Sequence, residues 1–123
     1  MPPMRDLSNV LHPELSYKIC GLCFDVHNRL GRFLNERQYA DALEGALQRT
    51  GLVYKRETAL DKSFPDEQNR RNIPDFIIED KIIVDLKAKR IITKDDYFQM
   101  RRYLTSANKR LGIIVNFRQK YLA

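Results

Sequence analysis

Asp75 is followed, after nine residues, by Asp85-Leu86-Lys87. Two carboxylates held side by side suit a hard divalent cation. Magnesium binds through oxygen and often uses one or two carboxylates plus waters and phosphate. Phosphodiester hydrolysis needs an activated water and an offset for charge on the phosphate, and a cation held by two carboxylates supplies both. A lysine beside it can orient the water or stabilise the developing charge. The same residues would also make an ordinary sheet-edge salt bridge between Asp85 and Lys87 or a neighbour. Spacing alone does not choose between the two.

Bringing Asp75 and Asp85 together requires a hairpin. Asn72–Glu79 and Lys81–Ala88 are two β-rich runs around Asp80. With the turn centred on Asp80, Asp75 faces Asp85 and Ile77 faces Ile83. Side chains alternate along a strand, so one face holds Asp75, Ile77, Ile83, Asp85 and Lys87. The other holds Phe76, Ile78, Ile82, Val84, Leu86 and Ala88, with no charge, and must be core. A one-residue slip would set charges among apolar partners. This register leaves the two carboxylates about 5 Å apart. Like charges so opposed are destabilising, so Lys87 or a divalent cation should compensate.

The remaining elements follow from periodicity. Leu15, Ile19, Leu22, Cys23, Val26 and Leu30 recur at helical spacing from Pro13 to a stop at Gly31. A second helix is expected from near Leu34 to Gly51, with Tyr39, Leu43 and Leu47 on its apolar side. A strand is expected over Tyr54–Leu60 and a polar loop over 61–70. A third helix should run from about Thr93 to Ala107, with Thr93 and Asp96 in a capping-box relation. Leu111–Phe117 is a near-continuous apolar run, as in a strand buried on both faces. The order is ααβββαβ. The fold class expected is α/β (α+β with a mixed sheet), four strands flanked by helices. Residues 1–12 read as a loose N-terminal arm and 13–123 as a single domain.

The chain has 123 residues, 43% of them hydrophobic and 31% charged, with a net charge of +6. That composition is globular, and the excess of Lys and Arg suits a partner carrying phosphates. No apolar run approaches the roughly 20 residues of a membrane span. The N-terminus lacks the apolar core of a signal peptide, so a cytoplasmic protein without membrane contact is expected. Cys20-Gly21-Leu22-Cys23 lies in a helix interior with no second pair, so core packing is expected rather than metal or redox chemistry. His27, and His12 in the arm, are expected to be structural.

At these residues the chain resembles the PD-(D/E)xK nuclease superfamily through Pro74-Asp75 and Asp85-Leu86-Lys87, and within it the GxxExxY protein family. The carriers are Val26–Gly31, Glu36-Arg37-Gln38-Tyr39, Pro74-Asp75-Phe76, Ile83–Ala88 and Leu111–Phe117. Phe33 stands where that family has glycine, and Asp85 where glutamate is more usual. The resemblance implies that Asp75 and Asp85 bind Mg²⁺ (or Mn²⁺), with the Leu86 backbone carbonyl as a further ligand. It implies that Lys87 assists the attacking water and that Glu36 completes the site as a further metal or water ligand. Gln99 and Tyr103 resemble the QxxxY element of RecB-like nucleases, which abuts the active site.

The function expected is a metal-dependent nuclease hydrolysing DNA, with RNA the second choice. Lys89, Arg90, Arg101 and Arg102 would contact phosphates, which gives affinity but little sequence choice. A homodimer would enlarge the surface that grips a duplex. The alternatives are a catalytically weak or inactive nucleic-acid-binding accessory protein on the same fold, and an interaction module whose charges are surface salt bridges.

Overall fold

The computed structural model describes residues 11–122. The first ten residues of the expected arm lie outside them. Three helices and four strands follow in the order α1 (Pro13–Leu30), α2 (Glu36–Thr50), β1 (Tyr54–Arg56), β2 (Phe76–Ile78), β3 (Ile82–Lys87), α3 (Lys94–Ala107) and β4 (Leu111–Asn116). That is the order expected from the sequence, and the sheet is mixed. β1, β2 and β3 pair antiparallel and β4 joins β3 in parallel, in the spatial order β1-β2-β3-β4.

Helix ends fall where backbone donors find partners. α1 starts at Pro13, whose missing N–H costs nothing in a first turn, and stops at Gly31 with φ 79°. α2 begins at Glu36, two residues later than expected. Asn35 accepts the Gln38 N–H, and Gln38 Oε1 accepts the Asn35 N–H, each at 2.9 Å. This reciprocal cap leaves Leu34 in the loop. At α3, Asp96 Oδ2 accepts the Thr93 N–H at 2.8 Å.

The hairpin register is the one read from the sequence. Phe76 faces Val84, Ile77 faces Ile83 and Ile78 faces Ile82. Glu79 and Asp80 carry the turn, both at φ 54°. Phe76, Ile78, Ile82, Val84 and Leu86 are fully buried against α1 and α2 residues such as Ile19, Tyr39, Leu43 and Leu47. Each such side chain is worth about 1.5–3 kcal/mol of burial. On the opposite face Ile77 and Ile83 pack with Met100 and Tyr103 of α3. The sheet is thus covered on both sides, and the charged positions of that second face lie beyond the apolar pair.

All four strands are shorter than the runs read from the sequence, β1 and β2 by the most. β1 ends at Arg56 because Glu57 adopts φ 51° and breaks the pleat. Backbone pairing resumes past the break, from the Leu60 N–H to the Asn72 carbonyl at 2.8 Å. β2 starts at Phe76 rather than Asn72, since Pro74 has no N–H to give to a ladder. β4 lies at the sheet edge, and its first four residues are only half-buried. Its apolar run still serves two faces. Ile113 and Val115 join the α1–α2 side, and Ile114 joins the α3 side. Gly112 leaves room for Met100, whose side chain would have to shift for a Cβ, since that Cβ would lie 2.8 Å from Met100 Cγ.

Cys23 is buried in the core, and burial raises its thiol pKa to about 12. Cys20 is half-buried and unpaired. No helix among the described residues is long and apolar enough to cross a membrane.

Candidate metal and phosphate site

Asp75 and Asp85 meet at the open end of the β2–β3 hairpin. Asp75 sits just before β2, behind the buried Pro74. Its Oδ2 accepts the Leu86 N–H at 2.6 Å, and its own N–H lies 3.4 Å from Asp85 Oδ1. Asp85 is only 5% exposed. The carboxylates therefore crowd each other from adjacent strands, as the register requires. Burial first, and the Asp85 charge second, raise the Asp75 pKa from 3.8 to about 7.

Lys87 supplies the nearest positive charge. Its Nζ lies 2.9 Å from Asp85 Oδ2 and 3.9 Å from Asp96 Oδ1, and it donates to Gln99 Oε1 at 2.8 Å. Burial alone would lower the Lys87 pKa. The hydrogen bond and charge of Asp85, followed by Glu36 and Asp96, outweigh it and raise it. Of the two compensators considered from the sequence, the lysine is thus in place. Gln99 reaches the site through Lys87. Tyr103 donates instead to the Ile73 carbonyl at 3.2 Å, tying α3 to the segment that leads into Asp75.

Glu36 is exposed at the first turn of α2. It lines an open cleft of about 570 Å³ with Asn35, Arg37, Ala40, Glu57 and Asp75. Its charge acts on both Asp75 and Lys87. Glu57 was not expected here. Its left-handed backbone and the bond from its N–H to the Asp75 carbonyl at 3.0 Å place it, and both depend on strand pairing. Among the described residues no three His, Cys, Asp or Glu side chains form a ready metal cluster. The carboxylates that could hold a cation are the Asp75–Asp85 pair. Two crowded carboxylates, one of them held far above its ordinary pKa, fit a divalent cation that completes its shell with water and phosphate.

The basic residues divide. Lys89 binds Asp96 through contacts of 2.8 and 3.0 Å, so its charge is already engaged. Asp96 was legible as a cap, but not as the anchor for two lysines. Arg90, Arg101 and Arg102 are exposed. Asn116 is buried at the end of β4. It accepts the Lys89 N–H at 3.1 Å and donates to the Lys89 carbonyl at 2.7 Å, locking the ends of β3 and β4 together. A polar residue closing an apolar run was its sequence signal. His27 is buried and donates to the Gln119 carbonyl at 2.8 Å, away from the carboxylates.

Asp75 gives the metal-free protein a pH signature. Below about pH 4 the carboxyl is protonated in both the folded and the unfolded chain, so the shift has no effect. Between about pH 4 and about pH 7 the folded chain keeps a proton that the unfolded chain has lost, and stability falls as pH rises. Above about 7 the full cost remains. In chelator, the melting temperature of the wild type is expected to drop relative to Asp75→Asn from about pH 4 to about pH 7. The amide retains the acceptor for Leu86. Parallel pH profiles for the two proteins would contradict this.

A family model described as the PD-(D/E)XK nuclease superfamily matches residues 13–123. No curated protein and no solved structure matches the chain. The chain belongs to the PD-(D/E)XK nuclease superfamily, and its domain is of nuclease type. Such nucleases typically use divalent metals on nucleic-acid substrates.

Proposed function

We propose, from this membership and the paired carboxylates of the hairpin, that the chain is a divalent-metal-dependent nuclease hydrolysing phosphodiester bonds of DNA. The observation that carries the reading is the opposition of Asp75 and Asp85, a repulsive arrangement that costs the metal-free protein stability and that a bound cation would relieve. Asp75 and Asp85, with the Leu86 carbonyl, would hold Mg²⁺ or Mn²⁺. When bound, the cation supplies Lewis acidity toward the scissile phosphate and an activated water.

This chain's residues supply the remainder. Leu86 N–H fixes the rotamer of Asp75, and Gln99 and Asp85 fix the direction of the Lys87 ammonium. Lys87 would donate to the attacking water or to a phosphate oxygen and stabilise charge as it develops. Glu36, on the wall of the cleft beside Asp75, would orient water at its mouth. Arg90, Arg101 and Arg102 would take phosphates along the strand, with Lys89 held in reserve by Asp96.

The second reading is an accessory protein on this fold that binds nucleic acid without cutting it. It draws on the Asp85–Lys87 ion pair, which satisfies the aspartate without a cation. Incubation with supercoiled plasmid, single-stranded DNA and RNA, in Mg²⁺, Mn²⁺ or chelator, separates the two. The nuclease reading expects metal-dependent cleavage of DNA. Retained binding with no cleavage in any arm favours the accessory protein.

A further inference from the structure

Outside the carboxylate site, the most unusual surface feature is an exposed aromatic ring flanked by arginines. Phe33 lies in the loop between α1 and α2 and is 72% exposed. Its ring is 4.9 Å from the Arg32 guanidinium carbon and 5.3 Å from that of Arg118. Arg32, Arg90, Arg118 and Gln119 line a cleft of about 420 Å³. Among the described residues none of these arginines makes an ion pair with a carboxylate. A lone exposed apolar side chain is ordinary. A ring under two guanidinium groups, beside a cleft with a third, combines a stacking surface with unneutralised charge.

The feature is built rather than loose. Tyr39, fully buried and stacked on Phe117 at 4.3 Å, donates to the Gly31 carbonyl at 2.6 Å. Its hydroxyl also accepts the Leu34 N–H at 3.3 Å. The loop carrying Phe33 is thus pinned at both ends. Gly31 takes the positive φ, so position 33 carries a side chain without strain. On the other wall, Asn116 Oδ1 accepts the Arg118 N–H at 3.3 Å, and Gln119 Nε2 donates to the Arg90 carbonyl at 3.3 Å. Glu36 follows Phe33 by three residues, so the same loop leads into the metal-site cleft.

We infer that this cluster binds an unpaired nucleic-acid strand: a base stacks on the Phe33–arginine surface while Arg32, Arg90 and Arg118 take the adjoining phosphates. Duplex bases are stacked on each other and cannot offer a face, whereas every unpaired base can. Arginine combines a planar stacking group with phosphate-matched donors. The site rests on the nuclease reading for its purpose, since it would feed single-stranded DNA, or a frayed end, past Glu36 to the carboxylates.

The test is fluorescence anisotropy of the full chain in chelator, where no cleavage occurs. The probes are an oligothymidylate of about 12 nucleotides, an abasic strand of equal charge, and a duplex. Phe33→Ala is expected to weaken oligothymidylate binding about 10-fold and to leave the abasic strand and the duplex nearly unchanged, while Phe33→Tyr retains wild-type binding. Arg118→Gln should weaken both single strands and reduce the salt slope by about 0.7. Equal binding of oligothymidylate and the abasic strand by wild type, or no effect of Phe33→Ala, overturns the inference. If metal-dependent cleavage is seen in that case, the nuclease reading stands without it. Phe33-dependent binding in a chain that never cleaves would uphold this site and defeat the nuclease reading instead.

Discussion

A protein carrying Asp85→Asn is expected to fold normally and to lose metal-dependent DNA cleavage by about 10³-fold or more. Asparagine has nearly the shape of aspartate, and its one carbonyl oxygen can still accept from the Asp75 N–H. What it removes is one of the two charges proposed to hold the cation. Two stability terms then oppose each other. Repulsion with Asp75 is relieved, but Lys87 loses its 2.9 Å partner. The melting temperature in chelator should therefore move little. Plasmid nicking over a range of Mn²⁺ concentrations, alongside thermal melting, checks both halves. Cleavage at wild-type rates by a well-folded Asp85→Asn protein would remove Asp85 from the site.

Replacing Lys87 has the opposite balance. Lys87→Met is expected to destabilise the metal-free protein by about 3 kcal/mol, because the buried Asp85 carboxylate, already beside Asp75, loses its 2.9 Å cation. In a domain of this size that lowers the melting temperature by about 10 °C or more. Mg²⁺ or Mn²⁺ should restore more of the loss in Lys87→Met than it adds to the wild type, since the ion then does the lysine's electrostatic work as well as its own. Cleavage should still fall, by about 10²-fold, for want of the ammonium at the phosphate. Melting curves in chelator and in metal decide the matter. A Lys87→Met protein as stable as wild type in chelator would show that Lys87 does not compensate the aspartate pair.

The hairpin was the most legible part of the chain, because one face of each strand carried only apolar residues. A one-residue slip from Ile77 opposite Ile83 would have set the charges of one strand among the apolar residues of its partner, so the pairing of the carboxylates could be read without a structure. Helix ends were legible where a local cap decides them, as at Gly31, Gly51 and Thr93. α2 was misplaced by two residues because Leu34 fits its apolar stripe, while the Asn35–Gln38 cap wins locally.

What stayed hidden depends on partners far along the chain. Nothing near Glu57 announces its left-handed backbone, which follows from the pairing of β1 with the segment before β2. Lys89 looked free for phosphate until α3 brought Asp96 against it. Tyr103 sat at the right spacing from Gln99, but only the fold shows its hydroxyl on the Ile73 carbonyl. Phe33 looked like a defect in a glycine position. Yet Gly31 already carries the positive φ, which leaves Phe33 open to solvent beside Arg118, a residue 85 positions away.

The central claim is that Asp75 and Asp85 are a cation site. Calorimetric titration of Mn²⁺ into wild type and into Asp85→Asn tests it most directly, because it needs neither a substrate nor a partner. The account expects saturable binding at or below millimolar concentration in the wild type, weaker at acid pH where Asp75 holds its proton, and lost in Asp85→Asn. Absence of binding in the wild type at millimolar Mn²⁺, or equal binding in both proteins, would contradict it.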